Sequence, residues 1–227
     1  PPADKGAERK AEQNGMTPKK IALLTDSSAD LRWAEVQADN IFFVPLRILC
    51  QDGEYLDGVN IGGQDIYKRL HNGELPQTSL PRVEDFSAKL HEIFAMGFDG
   101  VIAVMLSSGL SGTYNLARIV SEECNAQGYQ MRVFDSLSGA LGQGMTVLQL
   151  AEDIKNGMGW EELVERRAPQ LIANTFPFCS VDTLEYLQKG GRIGKISAMA
   201  GTMLQIKPII TFAQDGQLQS VAKVRGR

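Results

Sequence analysis

The sequence predicts an α/β protein built on an open parallel sheet, and three observations carry that prediction. Short apolar runs at Ile21–Leu24, Val101–Leu106 and Met131–Phe134 each end in a polar loop and then a helical pattern, the alternation that parallel sheets require. The three loops are alike in make: Thr25-Asp26-Ser27-Ser28, then Ser107-Ser108-Gly109-Leu110-Ser111-Gly112-Thr113, then Asp135-Ser136-Leu137-Ser138-Gly139. Beyond about residue 174 the composition shifts, and two strand-like runs joined by an Asp-Gly turn signal close the chain. The expected organisation is therefore a polar leader over 1–20, a main α/β domain over 21–173, and a smaller α+β domain over 174–227.

The elements follow in order. Residues 1–20 lack apolar periodicity and read as a disordered leader or expression remnant, with Met16 as a native start. Asp30 or Ser28 would cap a helix through Leu31, Trp33 and Val36. Ile41–Val44 and Leu46–Cys50 read as strands, and Gln51-Asp52-Gly53-Glu54 as a hairpin turn leading to Tyr55 and Leu56. Gly62–His71 is a helix ended by Asn72-Gly73. Pro76-Gln77-Thr78-Ser79-Leu80-Pro81 is rigid and extended, because each proline restrains its own φ and the residue before it. The helix Val83–Met96 carries Phe86, Leu90, Ile93 and Phe94 on one face.

The central run Val101–Leu106 opens into the Ser/Gly loop and a helix from Tyr114. First-turn amides of a helix have no intrahelical partner and carry the positive end of the macrodipole, so this junction is built for an anion. Capping of the helix by Ser111 or Thr113 is the plainer reading of the same residues. In parallel sheets ligands gather beyond the carboxyl ends of the strands, which would bring Asp26-Ser27, Ser107, Ser108, Ser111 and Asp135-Ser136 to one crevice. Gly139–Ile154 and Trp160–Ala173 read as helices. Thr175–Val181 reads as a strand, and another helix is expected through Met199 to Leu204. Ile206–Phe212 and Leu218–Val224 are strands, the last with nothing after it to complete the unit.

Composition excludes several classes. With 23 basic against 27 acidic residues, a net charge of −4 does not suit a general nucleic-acid binder. No apolar run reaches the roughly 20 residues of a membrane span, and no secretory segment is seen, so a cytoplasmic setting is expected. Cys50, Cys124 and Cys179 lack metal or disulfide spacing, and His71 and His91 stand apart, so no metal site is expected. Gly190 to Lys195 fails as a nucleotide phosphate loop, since Gly190 stands four before Gly194 and Ile196 follows Lys195. Gly142-Gln143-Gly144 lacks the third glycine of a dinucleotide fingerprint, Val147 standing there. The Lys189-to-Lys195 run still gathers three cations, with Arg192 suited to a carboxylate or phosphate.

Seven segments, in order, resemble the DegV family of bacterial fatty-acid-binding proteins. They are Thr25-Asp26-Ser27-Ser28-Ala29-Asp30-Leu31, Val44-Pro45-Leu46, Thr78-Ser79-Leu80-Pro81, Ser107 through Tyr114, Asp135-Ser136, Leu184 through Ile193, and Ile206-Lys207-Pro208-Ile209. The resemblance implies a two-domain DegV-like fold with a long-chain fatty acid between the domains and no cofactor besides. It implies Thr78 and Ser111 as carboxylate ligands, Ser108 as their neighbour, and Arg192 as a headgroup or partner contact. It also implies no catalytic residue in this chain. The fatty acid would be presented to a separate fatty-acid kinase that forms an acyl-phosphate, with transient contact at a membrane surface. Leu80 stands where the family often has Gln, and the family usually continues beyond Lys223-Val224-Arg225-Gly226, so the second domain reads as truncated. The competing expectation is a small-molecule transferase or phosphatase using Asp26 or Asp135.

Overall fold

The computed structural model describes Pro18 and residues 20–31, 39–199 and 206–225. Four parallel strands form the main sheet in the order β2-β1-β6-β7, from β1 (Ile21–Asp26), β2 (Ile41–Val44), β6 (Gly100–Met105) and β7 (Gln130–Asp135). Every residue of β1 and β6 is buried, as two-sided coverage of central strands demands.

Alternation along these strands splits the core in two. Ala22, Leu24, Val101, Ala103 and Met105 face one side, against Phe86, Leu90 and Ile93 of α2 (Val83–Ala95) and Ala117 and Val120 of α3 (Thr113–Ala126). Ile21, Leu23, Ile102 and Val104 face the other, against Val147 and Leu150 of α4 (Ala140–Lys155). A long helix α5 completes that layer. It runs through Trp160–Glu162, a π-helical turn Leu163–Arg167, and Ala168–Ala173, and buries Trp160, Leu163, Val164 and Ala168. Each fully buried large side chain contributes about 1.5–3 kcal/mol, so period 2 in the strands and period 3.6 in the helices fix this sandwich.

Between β2 and α2 the chain makes an antiparallel arm. Strands β3 (Arg47–Cys50), β4 (Gly53–Leu56) and β5 (Gln77–Ser79) order as β4-β3-β5, with α1 (Gly63–His71) between β4 and β5. Arg69 of α1 ties the arm together, bonding Asp52 at 2.8 Å and Glu74 at 3.0 Å.

A third sheet, β10-β9-β8, joins β8 (Cys179–Ser180), β9 (Ile206–Phe212) and β10 (Leu218–Arg225) in antiparallel fashion. Leu184, Ile196, Ile210 and Leu218 form its small core, flanked by the short helix α6 (Glu185–Lys189) and a 3₁₀ segment, Gly194–Met199. The strand expected over Thr175–Val181 shrinks to Cys179–Ser180. Pro177 has no N–H to give a ladder, and its carbonyl accepts instead from Thr211 Oγ1 at 2.8 Å. Of the leader expected over 1–20, residues 1–17 and 19 lie outside the described residues, as do residues 32–38 of the helix expected through Leu31, Trp33 and Val36 and most of the helix expected over Met199–Leu204.

Candidate functional site

The carboxyl ends of β1, β6 and β7 meet as the topology requires. Asp26 ends β1 and is wholly buried. Its Oδ1 accepts from the Ser28 amide at 3.0 Å and from the Ser28 hydroxyl, and its Oδ2 accepts from the Leu106 amide at 2.8 Å. Burial pushes its carboxyl above the ordinary range, against the lowering effect of these bonds. The donated hydrogen bonds favour the ionised carboxylate, and desolvation outweighs them. Ser28 Oγ also lies 3.0 Å from Gln143 Oε1, and one hydroxyl proton cannot serve both acceptors. A proton on Asp26 would release the Ser28 proton to Gln143. The Gln143 amide nitrogen in turn donates to Thr25 Oγ1 at 2.9 Å.

Asp135 ends β7 and accepts from the Ser108 amide at 3.2 Å and the Leu137 amide at 2.9 Å. Neither carboxylate expected as a catalytic group is thus presented to the crevice as a free base. Asp26 has no exposed surface, and both are occupied in holding loops.

The loop after β6 is wound tightly. The amides of Leu110 and Ser111 donate to the Ser107 carbonyl at 3.0 and 3.1 Å. Gly112 is the N-cap of α3 and supplies no side chain for the purpose. Ser111 Oγ accepts from the Thr113 amide at 3.3 Å and shares a 2.9 Å hydroxyl bond with Thr113. Ser111 stands one residue before the N-cap, and its hydroxyl engages one first-turn amide only. By helix geometry the other amides of that turn have no intrahelical partner. Ser111 is half-buried and Ser108 exposed.

Thr78 lies exposed on β5, where its backbone pairs with Ile48. Two residues on, Leu80 packs on the N-terminus of α3, its Cδ1 3.3 Å from where a Cβ on Gly112 would be. The Thr78 segment thus abuts the Ser111 loop, although no hydrogen bond joins Thr78 to Ser111 among the described residues. Arg47 holds the segment, donating to the Leu80 carbonyl at 2.7 Å and Ser79 Oγ at 3.0 Å. From the other side Arg192 reaches the same loop, its Nε 3.3 Å from the Leu110 carbonyl and its Nη1 2.6 Å from the Gly190 carbonyl. Lys189 and Lys195, by contrast, pair with Glu185 and Asp215.

An apolar surface starts beside this loop. A Cβ on Gly139 would lie 2.9 Å from Leu106 Cδ1 and 3.4 Å from Phe212. Leu141, Met145 and Leu148 follow at helical spacing on one exposed stripe of α4. Phe176 and Phe178, 66% and 62% exposed, flank Pro177, which lies against Gly142 of that helix. Large apolar side chains grouped on a surface mark a place where something apolar is received.

Leu137 and Ala140 hold left-handed backbone, with φ of 48° and 50°, as does Asp30 at 51°. Such conformations in non-glycine residues cost about 1–3 kcal/mol each and concentrate at functional sites. All three stand just beyond the ends of β1 and β7. Sequence reasoning missed Gly216, Gln143 and the buried state of Asp26. Asp215-Gly216 gave only a turn signal, and nothing local to Gln143 points to its partners. Among the described residues, Cys50, Asp52 and Glu74 could approach a metal ion together, their ligand atoms lying within 4.8 Å of one another. Arg69 already bonds both carboxylates.

Fold and site together define an α/β protein with an anion-ready loop after β6 and an exposed apolar stripe on α4. The chain belongs to the DegV family: the family model described as "Uncharacterised protein, DegV family" matches residues 20–227. A DegV domain-containing protein of Clostridium acetobutylicum is 39% identical over 208 residues, covering 92% of this chain and 73% of that relative. Among solved structures, a DegV family protein of Thermus thermophilus described for fatty acid binding superposes with a TM-score of 0.81 at 32% identity, over 92% of this chain and 72% of that one. DegV of Bacillus subtilis, a fatty acid binding protein, gives 0.78 at 30% identity, over 92% and 73%. A stearic acid-binding protein of Eubacterium ventriosum gives 0.79 at 27% identity, over 91% and 71%. No helix among the described residues is long and apolar enough to cross a membrane.

Proposed function

We propose that this chain binds a long-chain fatty acid between two domains, residues 21–173 and 174–227, and presents its carboxylate to a separate fatty-acid kinase. The features that support the reading are the α3 N-terminus, bearing Ser111 and Thr113, and the exposed apolar stripe of α4 with Phe176 and Phe178. The names of the solved relatives support the ligand class. In this reading Thr78 and Ser111 hold the carboxylate, Ser108 stands beside them, and Arg192 faces the headgroup or the kinase. The chain itself supplies no catalytic residue and needs no cofactor. It works in the cytoplasm and touches a membrane surface only in passing.

The physical balance is favourable. Hydroxyl and amide donors at a helix N-terminus keep a carboxylate ionised through charge-assisted bonds. Each buried methylene adds about 0.8 kcal/mol, so a long tail offsets the ordering costs of binding.

Native mass spectrometry of the purified protein, followed by lipid extraction, tests the ligand. One fatty acid per chain is expected, and no lipid bound even after addition of free fatty acid counts against the reading. Ser111→Ala tests the site. Loss of one charge-assisted bond of about 1.5–3 kcal/mol should weaken fatty-acid binding roughly ten- to hundredfold, with the urea midpoint nearly kept. Unchanged affinity in folded Ser111→Ala protein would remove Ser111 from the site.

A further inference from the structure

The third sheet reaches the headgroup loop through one turn. Between β9 and β10 the Gly216 amide donates inward to the Ala213 carbonyl at 2.9 Å, with φ at +74°, which turns the Gly216 carbonyl outward. That carbonyl accepts from Ser107 Oγ at 2.8 Å. Ser107 is fully buried, and its hydroxyl oxygen also accepts from the Gly109 amide at 3.2 Å. The two backbones are in close apposition. A Cβ on Gly109 would lie 2.5 Å from the Gly216 carbonyl carbon, and one on Gly216 would collide with Ser107 Oγ. The turn is itself pinned, Asp215 pairing with Lys195 at 2.7 Å and accepting from the Gln217 amide at 3.2 Å. Arg192 adds a second tie, to the Leu110 carbonyl.

We propose that the Ala213–Gln217 turn is a positioning element for the anion-binding loop, acting through the Ser107–Gly216 hydrogen bond, so that ligand occupancy at Ser111 and docking of the third sheet form one linked equilibrium. Ser107 is the residue on which the arrangement turns. Its carbonyl accepts the Leu110 and Ser111 amides, which set the loop's curvature. Its hydroxyl is committed to the other sheet. Ser107 is therefore a latch rather than a ligand, despite belonging to the same serine-rich run as Ser108 and Ser111. Linkage makes the coupling reciprocal: if docking of the turn favours the binding shape, a bound carboxylate must favour docking by the same factor.

The proposal rests on the fatty-acid reading for its ligand, but the latch can be tested without one. Two variants of the full chain are needed, Ser107→Ala and Gly216→Ala, with hydrogen exchange and fatty-acid affinity as readouts. In the wild-type protein, fatty acid should slow exchange across Ala213–Gln217 as well as at the α3 N-terminus. Ser107→Ala should weaken binding about five- to thirtyfold, as expected for a buried hydrogen bond lost with its acceptor left unpaired. It should also abolish ligand-dependent protection of the turn while leaving some at α3. Combined with Ser111→Ala, its effect should be less than multiplicative. A residue serving stability alone would lower the urea midpoint and leave affinity and ligand-dependent protection of the turn unchanged, and that result overturns the proposal. If the wild-type protein binds no fatty acid, the ligand reading fails separately. The latch still requires faster exchange of the Leu110 and Ser111 amides in both variants without ligand, and unchanged exchange there overturns it. Should Gly216→Ala fail to fold, Ser107→Ala, which only removes an atom, decides the matter.

Discussion

Asp26 carries a pH dependence that can be stated in advance. Burial holds its carboxyl above the ordinary value of 3.8. Between that value and the raised one, the folded chain keeps a proton that the unfolded chain has released, so stability falls as pH rises through this window. One group contributes a slope of at most about 1.4 kcal/mol per pH unit. In urea unfolding, the stability of the wild-type protein relative to Asp26→Asn should decline from acid to neutral pH. Identical profiles would show that Asp26 ionises as readily folded as unfolded. The residue scale is also where the sequence was least legible. Asp26 reads equally well as a crevice carboxylate or a buried one, because the Leu106 amide that receives it lies 80 residues away. Ser107, Ser108 and Ser111 are indistinguishable by type, and only the Gly216 carbonyl, 109 residues on, separates the latch from the two candidate ligand hydroxyls.

Elements were more legible, because periodicity is a local property. Phe86, Leu90 and Ile93 stand at the spacing that buries them, and β1, β6 and β7 were each visible as an apolar run before a polar loop, while β2 was an apolar run stopped by Pro45. The exception is the Thr175–Val181 run, whose apolar and β-branched residues suit a strand but whose Pro177 interrupts the ladder. Packing between elements sets the second prediction. Gly144 of α4 sits so close to the segment after β1 that a Cβ would collide with the Ala29 carbonyl and come within 2.9 Å of Leu31 Cδ2. Alanine would gain about 1 kcal/mol of helix propensity there, yet overpacking against rigid backbone costs about 1–3 kcal/mol. Gly144→Ala should therefore lose up to about 2 kcal/mol in urea unfolding, whereas Gly62→Ala, with nothing within 4 Å of the added atom, should change little. Equal midpoints for the two proteins would mean that α4 shifts without cost.

At the scale of the molecule, the strand–helix alternation announced the parallel sheet. It could not announce which turn of the third sheet would meet the loop after β6, since such docking depends on surfaces brought together only after folding. The strand order β2-β1-β6-β7 has a further consequence, for the time course of folding. Ile21 pairs with Gly100, and no two strands of the main sheet are joined by a hairpin. The loop-closure entropy of β1 must be met before any of its pairing with β6 is gained. On a ribosome, β1 would emerge long before β6 exists, with an apolar strand exposed in the interval. The antiparallel arm of β3 and β4 needs no such wait. Pulse-labelled refolding should accordingly protect amides of the arm's β3–β4 hairpin before those of β1. Protection of β1 first would place the nucleus in the main sheet instead.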